Sequence, residues 1–128
     1  MAEKNRDPII RTVPQPADMN GNGDIFGGWV LSQMDVAGGV LAARVAKGRV
    51  ATVAIAAMTF VQPIKVGDMV SIYGEVKKVG RTSITIDLET VVQRRHEATD
   101  IQVTHGTFVF VAIDEEGRPR PVPAGVVA

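Results

Sequence analysis

Between Gly27 and Gly48 the chain runs without proline, and apolar residues fall at Val30, Met34, Ala37, Leu41 and Val45, a spacing of three to four. That spacing predicts one helix, stopped by the glycine that follows Lys47. Other apolar residues stand off this stripe, at Trp29, Leu31, Val36 and Val40, so the helix is expected to be apolar nearly all round and buried on most sides. Past Gly48 the pattern changes. Val50 to Phe60, Val70 to Val79, Thr82 to Gln93 and Val103 to Ile113 are rich in Val, Ile, Thr, Phe and Tyr and are separated by turn signals, which predicts four long strands. In the third of them Ile84, Ile86 and Leu88 alternate with Thr85, Asp87 and Glu89, so one face is buried and the other meets solvent.

Before the helix, residues 8–13 (PIIRTV) form a short strand candidate and Pro14 to Gly23 (PQPADMNGNG) a turn-rich loop. The segment VGRTS and the polar stretch Arg94 to Asp100 are hairpin-like connections, which makes the sheet antiparallel. Pro63, Gly67 and Asp68 mark the join between the first two long strands, and the tail from Glu115 is expected to lie extended on the surface. The expected fold is therefore α+β: a long central helix wrapped by a curved antiparallel sheet of about five strands. A helix apolar on all sides leaves one side for something else to cover, and a second copy that continues the sheet would do so.

Composition narrows the function. The 128 residues, 45% of them hydrophobic, fit one domain spanning 1–128, with 1–7 expected to be a flexible N-terminus and 118–128 an extended tail. Fourteen basic and fourteen acidic side chains cancel, which leaves no positive field to hold nucleic acid or an anionic membrane. The absence of cysteine removes disulfides, thiolate catalysis and thiolate metal sites. No signal-like run follows the charged start, and Ser32, Gln33, Asp35 and Arg44 interrupt the apolar stretch 25–46, so neither export nor a membrane span is indicated and a cytoplasmic protein is the expectation.

Candidate chemistry lies where acids are costly. Asp35 falls in the middle of the apolar helix. It is open to two readings: a carboxylate that faces solvent or pairs with Arg44 or another base, or a general base or nucleophile held in an apolar cleft. Asp24, at the end of NGNGD, reads as a natural N-cap for the helix. Gly27 and Gly28 at the helix start let a ligand approach free backbone N–H groups, which suits a developing oxyanion. Eleven helical residues from Asp24 to Asp35 would span about 16 Å, too far to share one carbonyl within a chain. If both act, the simplest geometry places Asp24 or its neighbouring amides from one subunit opposite Asp35 of another. His96, in the charged stretch RRHEATD, and His105, near a strand start, read as solvated or satisfied side chains.

The segments MNGNGDIFGGWVLSQMDVAGGVLAA, GRVATVAIAAMTFVQPIKVGD and VKKVGRTSI carry NGDIFGG, SQMD, F-x-x-P-x-x-x-G-D and VGR-[ST]-S in order. In this the chain resembles the YciA-like bacterial acyl-CoA thioesterases, over roughly residues 10–122. The resemblance implies a hotdog fold, hydrolysis of fatty acyl-CoA to free acid and coenzyme A, and homodimers grouped as a trimer of dimers. It implies no metal and no cofactor, coenzyme A entering only as part of the substrate. It matches Asp35 to the family's catalytic helix acid and Asp24 to the polar residue supplied by the facing subunit. The carboxylate would activate water or attack directly, with amides near Gly27 and Gly28 holding the oxyanion. In VGRTS, Arg81 would meet a phosphate of coenzyme A and the hydroxyls of Thr82 and Ser83 would hydrogen-bond it; the alternative for that turn is a plain hairpin with a solvated Arg81. Ala54, Ala56, Ala57, Met58 and Phe60 are candidates for the acyl tunnel. The alternative function is a non-catalytic acyl-CoA binding or sensing protein, which would have no need of both carboxylates. A dehydratase of the same fold ranks below it, because no histidine accompanies the helix.

Overall fold

β-branched and aromatic runs pair into strands where their alternate residues can share one dry face, and the expected helix supplies the opposing surface. The computed structural model describes residues 6–123. It contains β1 (Ile10–Thr12), α1 (Gly27–Ala46), β2 (Val50–Phe60), β3 (Met69–Val79), β4 (Ser83–Gln93) and β5 (Asp100–Ala112), with a single 3-10 turn at Pro16–Asp18. All strand pairs are antiparallel in the order β1-β3-β4-β5-β2. This is the hotdog arrangement, a long helix lying in a curved five-stranded sheet.

Both hairpins stand where the turn residues put them, between β3 and β4 and between β4 and β5. Several boundaries move. β1 spans only Ile10–Thr12, β3 begins at Met69 instead of Val70, β4 begins at Ser83 instead of Thr82, and β5 ends at Ala112 instead of Ile113 and begins at Asp100 instead of Val103. The last shift arises because the ladder continues to Gln93↔Asp100, where the Gln93 side chain also donates to Asp100 Oδ1 at 2.8 Å. The helix ends at Ala46, two residues before the expected glycine, and Lys47 takes the left-handed conformation, φ 54°. A Cβ at Gly48 would stand 2.5 Å from Arg120 Nη2, the end of a side chain that would then have to shift.

The alternation in β4 holds: Ile84, Ile86 and Leu88 are buried, and Thr85, Asp87 and Glu89 are part-exposed on the outer face. Phe108 and Phe110, two apart in β5, stack at 6.4 Å between centroids and form the floor of the core together with Met34 and Ile72. Gly38 lets the helix settle on that floor, because a Cβ would lie 2.8 Å from the Phe110 ring.

The expected all-round burial of the helix is not met within one chain. Val36 is 54% exposed and Val40 38%, and beside them β2 leaves Val53 57% and Ile55 43% exposed. β2 is the edge of the sheet, so its outer backbone groups also lack strand partners. Helix and edge strand thus form one open apolar side.

Order within the sheet decides what reaches the helix start. β2 lies at one edge and β3 beside the other, so the connection 61–68 has to cross the end of the sheet. It passes under the N-terminus of α1, where Ile64 is buried and its carbonyl accepts the Ile25 N–H at 2.9 Å. At the opposite end, Arg120 donates to the carbonyls of Ala46 (3.0 Å) and Ile113 (3.0 Å), and the Val122 N–H donates to Arg81 O at 2.8 Å. Of the two terminal segments, residues 1–5 and 124–128 lie outside the described residues. Arg6 pairs with Glu89 and stacks 3.9 Å over the Tyr73 ring.

Candidate active site

The NGNGD loop is folded by its own first asparagine. Asn20 Oδ1 accepts the N–H groups of Asn22 (2.8 Å) and Asp24 (3.1 Å), and Gly23 takes φ 83° to close the turn. Ile25 then inserts into the core, 5% exposed, and its backbone is tied to Ile64. This geometry overturns the expectation that Asp24 caps the helix. The N-cap is Phe26, which offers no side-chain acceptor, and the Asp24 carboxylate is turned away to an ion pair with Lys65. Phe26 N–H donates to Asp18 O at 3.0 Å, and Phe26 O accepts from Trp29 (3.1 Å) and Val30 (3.4 Å).

Without a capping side chain, the first two amides of α1 stay free. Among the described residues nothing accepts a hydrogen bond from the N–H of Gly27 or Gly28. Both glycines are exposed, and a Cβ at Gly28 would meet nothing within 4 Å. Phe60, at the end of β2, packs its ring against Gly27, 3.6 Å from where a Cβ would be. Two unpaired N–H groups at the positive end of a helix dipole, beside an aromatic wall, suit an oxyanion.

Asp35 occupies the third turn of α1, part-buried, on the open side of the molecule. Its partner is not Arg44. Thr52 in β2 donates its hydroxyl to Asp35 Oδ1 at 2.6 Å. A neutral donor of this kind fixes the carboxylate without neutralising it and leaves Oδ2 open to a substrate or a water. Sequence reasoning missed Thr52, because the contact joins residues 17 apart on different elements; the one available signal was a polar residue within the apolar run VATVAIAA.

The VGRTS turn is built by the Gly80 N–H to Ser83 O bond at 2.8 Å. Arg81 is exposed, Thr82 O accepts from Ala112 at 2.9 Å, and Ser83 Oγ lies over Gly80. Register places these parts. Ser83 faces Val111, and Thr52 faces Phe110, so Asp35 and the turn 80–83 belong to the same half of the molecule. Asp24, Gly27 and Gly28 belong to the other half, at the end where Phe60 faces Thr104. One chain therefore does not bring the two sets together. Of the residues suggested for an acyl tunnel, Ala54, Ala56, Ala57 and Phe60 are exposed, Ala54 and Ala57 lying opposite Val109 and Thr107 on the outer face, while Met58 is half-buried against Gly106. His96 and His105 are both exposed and away from the helix, His105 lying opposite Glu89 on the outer face. Among the described residues no helix is long and apolar enough to cross a membrane.

Residues 22–99 match the family model of the thioesterase superfamily. The chain is 46% identical over 123 residues to the acyl-CoA thioester hydrolase YciA of Salmonella typhimurium, covering 90% of this chain and 89% of that protein. Among solved structures it is similar to a hexameric broad-specificity acyl-coenzyme A thioesterase, in an aspartate-to-alanine mutant form, with 46% identity, TM-score 0.89 and coverage of 92% and 87% of the two chains. A hexameric thioesterase from Yersinia pestis follows at 45% identity, TM-score 0.88 and coverage of 94% and 98%. The free helix-start amides, the Thr52-held aspartate and these likenesses agree: the chain belongs to the thioesterase superfamily, in the group of the YciA acyl-CoA thioester hydrolases.

Proposed function

We propose that this protein hydrolyses fatty acyl-CoA thioesters to free acid and coenzyme A, at a site formed between two subunits. The observation that carries this reading is the separation, within one chain, of an oriented carboxylate from an unpaired pair of backbone donors, with an uncovered apolar side running between them. Its relatives' activity supports the same chemistry.

A second copy pairing through β2 covers that side. Exposed Val53, Ile55, Val36 and Val40 gain a dry partner, and the unpaired edge of β2 gains a ladder. β2 runs from Thr52 beside Asp35 to Phe60 beside Gly27. A two-fold axis near its middle residue, Ile55, therefore sets the partner's Gly27 end against the Thr52 end of this chain. Each dimer then holds two equivalent sites, and dimers group into the hexamer that relatives form.

In such a site the thioester carbonyl lies between Asp35 and the partner's Gly27 and Gly28 amides. Asp35 takes a proton from water as the water oxygen bonds to the carbonyl carbon, or its own oxygen makes that bond and water cleaves the anhydride afterwards. In both routes the amides hold the oxyanion, the C–S bond breaks, and the thiolate leaves and takes up a proton. Asp24 from the partner supplies the second polar group of the site. Arg81, with the hydroxyls of Thr82 and Ser83, meets the phosphate-bearing end of coenzyme A. These steps need no metal or cofactor, and the protein works as a cytoplasmic enzyme.

The test is thiol release from acyl-CoAs of graded chain length by wild type and by Asp35→Ala, with light scattering to follow assembly. Turnover by wild type, and binding without turnover by the variant, is the expected result. A wild type that binds acyl-CoA and releases no thiol would make the protein a binding module instead.

A further inference from the structure

Lys65 is not among the residues that meet the substrate in the proposed site. It sits in the crossing connection 61–68, and its ammonium reaches the Asp24 carboxylate across 41 residues of sequence. The connection is locked in place from below. Asp68 is 2% exposed and receives the Lys65 N–H at 2.8 Å on Oδ2, the atom that also pairs with Arg94. Arg94 donates in addition to Pro63 O at 3.2 Å, and the Arg95 guanidinium packs on Gly67, whose φ of 94° makes the turn. Residues 63–68 are thus fixed at both ends of a short arc, and the side chain they carry over the helix start is Lys65. The same arc accepts the Ile25 N–H through Ile64 O.

Asp24 has need of such a device. The loop that holds it is fastened through backbone bonds and the Asn20 side chain, none of which touches its carboxylate, and that carboxylate caps nothing. A free carboxylate three residues before the first helical residue could fold back on the amides of Gly27 and Gly28 and occupy the donors that an oxyanion would use. With its Oδ1 on Lys65, it is biased away from them. We infer that Lys65 is a positioning residue that holds the Asp24 carboxylate away from the Gly27 and Gly28 amides, so that both stay available to substrate. The inference rests on the proposed hydrolase reading, and Arg94 and Asp68 are the frame that gives Lys65 its position.

The experiment compares wild type with Lys65→Met, Lys65→Arg, Asp24→Ala and the Lys65→Met/Asp24→Ala double variant, each as the full assembled protein. Thiol release from one medium-chain acyl-CoA gives kcat and KM; thermal melting and light scattering report fold and assembly. An ion pair with one half-exposed partner orients its carboxylate by a factor of a few, so Lys65→Met should lower kcat roughly three- to tenfold. KM should stay within about twofold, Lys65→Arg should recover most of the rate, and Lys65→Met should have no further effect where Asp24 is already alanine. An unchanged kcat in Lys65→Met overturns the inference. So does a rise in KM alone, which would make Lys65 a contact for coenzyme A, and so does an equal loss with and without Asp24. The split between kcat and KM and the arginine rescue decide the matter even if the Asp24→Ala background is too slow to read. Wild type that releases no thiol would remove the hydrolase reading and this inference together, a result separate from any variant's.

Discussion

Thr52→Val is the sharpest test of how Asp35 is held. The substitution keeps the β-branched shape of an exposed strand residue and removes only the hydroxyl that donates to Asp35 Oδ1 at 2.6 Å. Hydrogen bonds to charged groups contribute about 1.5–3 kcal/mol when buried. Here both groups retain access to water in the single chain, which discounts the value to about 1 kcal/mol, or roughly a fivefold loss of rate at 1.36 kcal/mol per decade. The loss should fall on kcat, because the bond orients a reacting group and binds no part of the substrate. Thiol release at saturating acyl-CoA measures it, with thermal melting as the control for folding. Thr52→Ser should keep most of the rate. A Thr52→Val protein as fast as wild type, melting at the same temperature, would refute the view that this hydroxyl sets the carboxylate.

Adjacent glycines on the helix should part company. Gly38→Ala drives a methyl within 2.8 Å of the Phe110 ring and should destabilise by about 1–3 kcal/mol, whereas Gly39→Ala meets nothing closer than 3.9 Å and should be neutral or stabilise by up to about 1 kcal/mol in urea melts. Thr90 and Thr104 face each other across β4 and β5, are 0% and 1% exposed, and neither hydroxyl finds a hydrogen-bond partner among the described residues. Thr90→Val should therefore raise stability by about 1 kcal/mol, and a fall of that size would mean the hydroxyl is satisfied in solution. Arg94→Met leaves the buried Asp68 carboxylate without its cation and should lower stability by about 3 kcal/mol by denaturant titration; Asp68→Asn in the same chain should restore part of it.

Local pattern made most of the scaffold readable. The three-to-four spacing from Val30 to Val45 marked the helix, and the alternation Ile84–Glu89 marked the buried face of β4, because both report which residues one element turns toward the core. VGRTS and the stretch after Arg94 marked the hairpins. What pattern could not report was pairing across distance. Nothing in VATVAIAAMTF says that this strand joins β5 at the edge of the sheet, and so nothing foretold that Val53 and Ile55 would stand open beside Val36. Asp24 is the clearest case. Its place before a helix resembles an N-cap, yet the capping position falls two residues later, at Phe26, and a lysine 41 residues away takes its carboxylate. Thr52 on Asp35 and Arg94 on Asp68 are contacts of the same kind. They join elements that only the folded topology brings together.

In the proposed site, Asp35 and the Asp24 end of the helix act on one substrate from different subunits. Mixing two variants, each impaired in one half of the site, tests this directly. Asp24→Ala and Asp35→Ala are combined under conditions that allow subunits to exchange, and thiol release is compared with each variant alone. In a mixed dimer one of the two sites receives both intact residues, so random pairing should restore about a quarter of the wild-type rate. Recovery near that level is the predicted result, and a mixture no more active than its components, with exchange verified, would contradict the shared site.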